Sequence, residues 1–85
     1  MELMLTKEES RENLVANLRR ILGDRGMSVA ELARRSGVAK SSVYNVLDGY
    51  YDPSAYNLKC IADALDADMD KLLEPPPVAL SKNSA

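Results

Sequence analysis

Lys40, Ser41, Ser42, Tyr44 and Asn45 crowd into the stretch KSSVYN. Together they supply an ammonium donor, three hydroxyls and a carboxamide that both donates and accepts. Such a set recognises another surface through directed hydrogen bonds. It does not suit covalent catalysis. The chain has no histidine, the commonest general base, and a single cysteine, Cys60. A nucleophile–base pair would need Ser, Lys and carboxylates, and no motif brings those together. One cysteine without histidine makes no metal cluster. Neither an enzyme nor a cofactor nor a metal is expected.

Charge qualifies the recognition reading. The 85 residues hold 11 Lys and Arg against 13 Asp and Glu, a net charge of −2. Residues 1–48 carry eight cations and seven anions, and residues 49–85 carry three and six. The front is near neutral and the back is acidic. The basic footprint usual for phosphate binding is missing, so local placement of charge must decide. A chain of this length makes one small domain with a marginal core, which good helix packing or oligomerisation would help. Cys60 alone excludes an intrachain disulfide. There is no signal peptide and no apolar run long enough to span a bilayer, so a reduced cytoplasmic protein away from membranes is expected.

The elements that must position those residues are five helices, with no strand pattern. Thr6-Lys7-Glu8-Glu9 has the form of a capping box and opens helix 1. Leu14, Leu18, Ile21 and Leu22 give that helix one apolar face, and Gly23 and Gly26 are expected to stop it. Ser28-Val29-Ala30-Glu31 is a second box, opening helix 2. Leu32 and Ala33 face inward, Arg34 and Arg35 face solvent, and Gly37 ends the helix in the left-handed conformation. Helix 3 carries Val43, Val46 and Leu47 at i, i+3, i+4 and stops at Gly49. Asp52-Pro53 breaks the chain, Ser54 caps helix 4, and Leu58, Ile61, Ala62 and Leu65 form its buried stripe. Asp68 caps a last short helix holding Met69, Leu72 and Leu73. The triple proline at 75–77 begins an extended tail. The division expected is an N-terminal segment 1–10, a helical domain 11–73 and a tail 74–85.

Four positions sharpen the reading of helices 2 and 3. Ala33 is small where helix 3 crosses helix 2, Gly37 follows four residues later in the turn, and Val43 and Val46 anchor helix 3. Residues 40, 41, 42, 44 and 45 are then left on the outer face or first turn of helix 3. In a helix-turn-helix that part meets DNA base edges. MSVAELARRSGVAKSSVYNVLDG followed by PSAYNLKCIADALDADMDKLL resembles the lambda-repressor-like, or Cro/XRE-type, helix-turn-helix family over about residues 11–73. The shared features are the S-x-x-E-L-A opening, the Gly-Val turn, the glycine after helix 3, the Pro-Ser start of helix 4 and the closing DADMDKLL. The resemblance implies an all-α, compact five-helix domain whose third helix enters the major groove, usually as a homodimer on two-fold double-stranded DNA.

The resemblance also implies contact positions. Ser28 and Val29, at the start of helix 2, meet a phosphate, and Lys40, Ser41, Ser42, Tyr44 and Asn45 read bases. Lys40 suits guanine O6/N7, Asn45 suits adenine, and the two serines suit either base or phosphate. Tyr44 offers its ring to a thymine methyl. The chain departs from the family where Val29 replaces a polar residue and where Ala39 can make no side-chain cap for helix 3, a cost of about 1 kcal/mol. Asp48 and the loop Tyr50-Tyr51-Asp52 stand where the family is often basic. Leu22 and Leu47 replace a buried Arg–Glu pair, an exchange that is often neutral or stabilising. Arg19, Arg20, Arg25, Arg34 and Arg35 either reach phosphates or merely solvate their helices. Tyr50 and Tyr51 either pack on the domain, the favoured reading, or donate to phosphate. Cys60 falls off the helix 4 stripe and is expected to be a partly exposed, inert thiol. Tyr56, the N-terminal MELML, Val78 and Leu80 are candidates for a partner-subunit contact.

The function expected is a stand-alone, repressor-like transcriptional regulator of bacterial or phage type. The alternative, from a different class, is a protein-interaction module on the same scaffold. The acidic back half, Val29, Asp48 and the lost basic loop would suit that module, and Asp48 and Asp52 flanking the helix 3 face with no Arg nearby would favour it.

Overall fold

The computed structural model describes residues 6–77. Among them are five helices and no strand: α1 (Lys7–Arg25), α2 (Val29–Ser36), α3 (Lys40–Leu47), α4 (Ala55–Ala64) and α5 (Met69–Leu73). Their starts follow from side chains that accept the orphan N–H groups of a first helical turn. Thr6 Oγ1 accepts from the Glu9 N–H at 3.0 Å, and Glu9 Oε1 accepts from the Thr6 N–H at 2.9 Å, completing the box at α1. At α2 the expected box is only half formed. Ser28 Oγ accepts from the Glu31 N–H at 3.0 Å, but the Glu31 carboxylate turns instead to Arg34 and Arg35, at 3.7 and 2.6 Å. Two guanidiniums one turn ahead outcompete one backbone N–H. Ser54 caps α4 through the Asn57 N–H and Asp68 caps α5 through the Asp70 N–H. Ala39 makes no side-chain cap for α3.

The end of α1 corrects one expectation. Gly23 does not stop the helix, which runs on to Arg25. A helical glycine costs only about 1 kcal/mol relative to alanine, and packing on either side outweighs it. Gly26 alone ends the helix, at φ 61° and ψ 33°, with its own N–H on Gly23 O at 3.3 Å and the Met27 N–H on Leu22 O at 3.0 Å. No described helix is long and apolar enough to cross a membrane.

The stripes read from the sequence meet in one core. Leu14, Leu18 and Leu22 of α1 join Leu32 of α2, Val43, Val46 and Leu47 of α3, Leu58, Ile61 and Ala62 of α4, then Leu65 and Leu72. Val38, in the turn between α2 and α3, is buried with them. Leu22 and Leu47 both belong to this cluster, so the buried-ion-pair positions are apolar together and leave no stranded charge. α1 packs against α5 and α3, and α2 against α3 and α4.

A polar clamp ties the first helix to the last. Asn17 is 1% exposed, and its Nδ2 donates to Leu72 O and Glu74 O, each at 2.9 Å, with Lys71 O at 3.4 Å. Its Oδ1 accepts from Arg20 Nη2 at 3.1 Å. One turn earlier, Asn13 Nδ2 donates to Leu73 O at 2.9 Å. With five residues, α5 is too short to satisfy its own last carbonyls, and α1 supplies the donors.

Candidate nucleic-acid interface

The turn that sets α3 against α2 is three residues long, Gly37-Val38-Ala39. Gly37 takes φ 78° and ψ 5°, and its N–H returns to Ala33 O at 2.9 Å. Ser36 Oγ accepts from the Val38 N–H at 3.1 Å, bracing the turn so that Val38 points into the core. Ala33 is half-buried against that core. With Val43, Val46 and Leu47 all buried, the rotation of α3 about its own axis is determined.

That rotation leaves Lys40, Ser41, Tyr44 and Asn45 exposed and Ser42 half-buried. Lys40 and Tyr44, and Ser41 and Asn45, are i, i+4 neighbours, so the four share one outward stripe. Tyr44 is 50% exposed. None of these five side chains has a hydrogen-bond or ion-pair partner among the described residues. Ser28 is exposed and spends its hydroxyl on capping α2, while Val29 is half-buried against the core. The sequence-predicted positions thus fall into an exposed stripe on α3 and a separate point at the start of α2.

Charges around the stripe are arranged by α1. Asp48, just past α3, lies 3.6 Å from Arg19 Nη2, and that same nitrogen donates to Leu47 O at 2.9 Å. The guanidinium thus meets the carbonyl end of α3, where its charge complements the helix dipole. Asp52, in the next loop, receives Arg11 Nε at 2.8 Å and Arg11 Nη2 at 3.3 Å, with Lys7 at 3.9 Å. The hydrogen bond from Arg11 holds the Asp52 carboxyl below its ordinary range, aided by the charges of Arg11 and Lys7 and opposed by partial burial. Arg34 and Arg35 share Glu31. Lys40 has no ion-pair partner among the described residues.

The favoured packing role fails for Tyr50, which is 76% exposed, while Tyr51, 36% exposed, has most of its surface covered. Gly49 takes φ 76° at the start of this loop. Tyr56 is also 76% exposed, and Cys60 is half-buried off the α4 stripe. The expectation of a partner contact at MELML, Val78 and Leu80 lies outside the described residues.

Sequence reading missed Arg11, Asn13 and Asn17, and it gave Arg19 only as one of five arginines that reach phosphates or solvate their helices. Asn17 carried a readable signal, since it falls inside the Leu14/Leu18/Ile21 stripe of α1. The partners of Arg11 and Arg19 within the protein were not legible, because they lie 41 and 28 residues away.

Comparison with known proteins agrees with this geometry. The crystal structure of a hypothetical transcription factor, NHTF, from Neisseria superposes with a TM-score of 0.76 at 28% identity, covering 100% of this chain and 97% of that one. A comparison with curated proteins finds no match. Residues 17–77 match the family described as the Cro/C1-type HTH DNA-binding domain. With that match over most of its length, and with α2 and α3 joined by a tight glycine turn, the chain belongs to the Cro/C1-type helix-turn-helix family of DNA-binding domains.

Proposed function

We propose that the chain is a sequence-specific repressor of transcription that acts as a homodimer, with α3 of each subunit in a major groove. Eight residues of α3 rise about 12 Å, close to the width of a B-DNA major groove. Lys40 donates to guanine O6/N7, Asn45 pairs with adenine, Ser41 and Ser42 bond a base or phosphate, and Tyr44 lays its ring on a thymine methyl. Ser28 and Val29 meet the DNA backbone through the first turn of α2. Two subunits related by a two-fold axis read a palindrome, and occupancy blocks polymerase.

One observation carries this reading. The stripe on α3 has no protein partner among the described residues, while both acids flanking it have an arginine of α1 beside them, Asp52 in a close bridge to Arg11 and Asp48 in a looser, exposed contact with Arg19. A protein-interaction module would draw on those two acids as free negative charges. Asp52 is not free, and Asp48 has a cation beside it, which favours the DNA reading.

Selection of bound duplexes from a random pool, followed by salt titration, tests the proposal. A palindromic site is expected, with affinity falling as salt rises. Asn45→Ala or Lys40→Ala should lose about 1–3 kcal/mol of base discrimination at one position each. No enrichment by the folded protein at low salt would sink the proposal.

A further inference from the structure

The family's phosphate contact at the start of α2 lacks its side chain here, because Val29 has no polar group. Another residue faces the same place. Arg19 of α1 lines an open cleft together with Ser28, Val29 and Leu47. Its guanidinium is held at the end of α3 by Leu47 O, in a cleft that the start of α2 also lines.

Two contacts describe how it is held. Nη2 donates to Leu47 O at 2.9 Å, which fixes the guanidinium at the end of α3. The other contact, to Asp48 Oδ1, is 3.6 Å long, and the two side chains are 58% and 48% exposed. An exposed pair at that separation is weak and readily exchanged. Arginine has five N–H donors in a planar fork, so the bond to Leu47 O leaves others for a phosphate, which guanidinium binds in a bidentate fashion. Asp48 approaches the same Nη2 that bonds Leu47 O, so its carboxylate competes with a phosphate for the charge of the guanidinium and leaves Nε and Nη1 uncontacted among the described residues.

We propose that Arg19 grips a backbone phosphate of the bound duplex and that Asp48 is its built-in competitor, so that this pair sets affinity without regard to sequence. The inference rests on the reading of α3 given above. It assigns to Arg19 the anchoring that position 29 does not supply. It also gives Asp48 a purpose: an acid beside the DNA face keeps non-specific binding weak by engaging a cation that any duplex would otherwise capture.

The test is a double-mutant cycle on the full chain. Dissociation constants of the parent, Arg19→Ala, Asp48→Asn and the double variant are measured on the selected duplex and on an unrelated one across a salt series. Arg19→Ala should weaken binding to both duplexes by the same factor and lower the salt slope by about one. One lost phosphate contact corresponds to about 3.5-fold less of the affinity loss between roughly 50 and 200 mM salt. Arg19→Lys should keep the slope, which separates charge from support of α3. Asp48→Asn should tighten binding to both duplexes, and most of that gain should vanish in the Arg19→Ala background. An unchanged slope in Arg19→Ala, or an equal gain from Asp48→Asn in both backgrounds, would overturn the inference while leaving the reading of α3 intact. A folded parent that binds no duplex would overturn both.

Discussion

Replacing Asn17 by alanine tests whether α1 holds α5 through polar bonds or through apolar packing alone. The substitution removes two 2.9 Å bonds, to Leu72 O and Glu74 O. Each is worth about 0.5–1.5 kcal/mol net. The Leu72 carbonyl sits in a dry environment, and stranding it adds about 1–3 kcal/mol. The carbonyls of Lys71 and Glu74 reach water and add little. These terms add to about 2–6 kcal/mol, and because both count part of the desolvation of the Leu72 carbonyl, the expected loss is about 2–4 kcal/mol, against a total stability of roughly 4–13 kcal/mol for a chain of this length. In thermal unfolding this is a fall of roughly 8–32 °C in Tm. Asn17→Asp is the sharper arm. One carboxylate oxygen keeps Arg20, but the other replaces an N–H donor and faces backbone carbonyl oxygens, so Asp should destabilise more than Ala. Asn13→Ala, half-buried with one bond to Leu73 O, should cost about 1 kcal/mol. Urea unfolding followed by far-UV circular dichroism measures all three. A loss under about 0.5 kcal/mol for Asn17→Ala, or an Asp variant milder than the Ala variant, would refute the clamp.

Other consequences can be checked on the same material. Ala39→Ser should stabilise the fold by about 1 kcal/mol, because α3 starts without a side-chain cap at an exposed position; an unchanged urea midpoint would contradict the cap argument. The Arg11–Asp52 bridge predicts an acid limb of defined sign. Asp52 titrates lower in the folded chain than its ordinary 3.8, so the contribution of the bridge is complete above that value. It is lost as pH falls through the lowered folded-state value. Asp52→Asn and Arg11→Met should each flatten this part of the curve, and acid limbs parallel to the parent's would show that the bridge contributes nothing.

Much of the architecture is local in origin and was legible. Thr6, Ser28, Ser54 and Asp68 start helices because an oxygen two or three residues ahead of a free N–H needs no tertiary partner to accept from it. The outward stripe of α3 follows from Val43, Val46 and Leu47 by helical periodicity alone, whereas the paired apolar residues Leu22 and Leu47 were read from the family resemblance. Where local rules conflict, the sequence misleads. Gly23 reads as a stop but is carried through by the packing of Leu18 and Leu22, and Glu31 reads as a reciprocal cap but prefers two arginines.

Electrostatics was beyond sequence reading. The count of charges described an acidic protein with Asp48 and Asp52 set against DNA, and it could not say which cations stand beside them. That depends on how α1 crosses the end of α3 and the loop beyond it, which brings Arg19 to Asp48 and Arg11 to Asp52. The same crossing places Asn17 under the carbonyls of α5, 55 residues away in the chain. Caps and stripes depend on neighbours along the chain, so sequence determines them. Charge neutralisation and the buried amide depend on neighbours in space, and only the packed helices decide those.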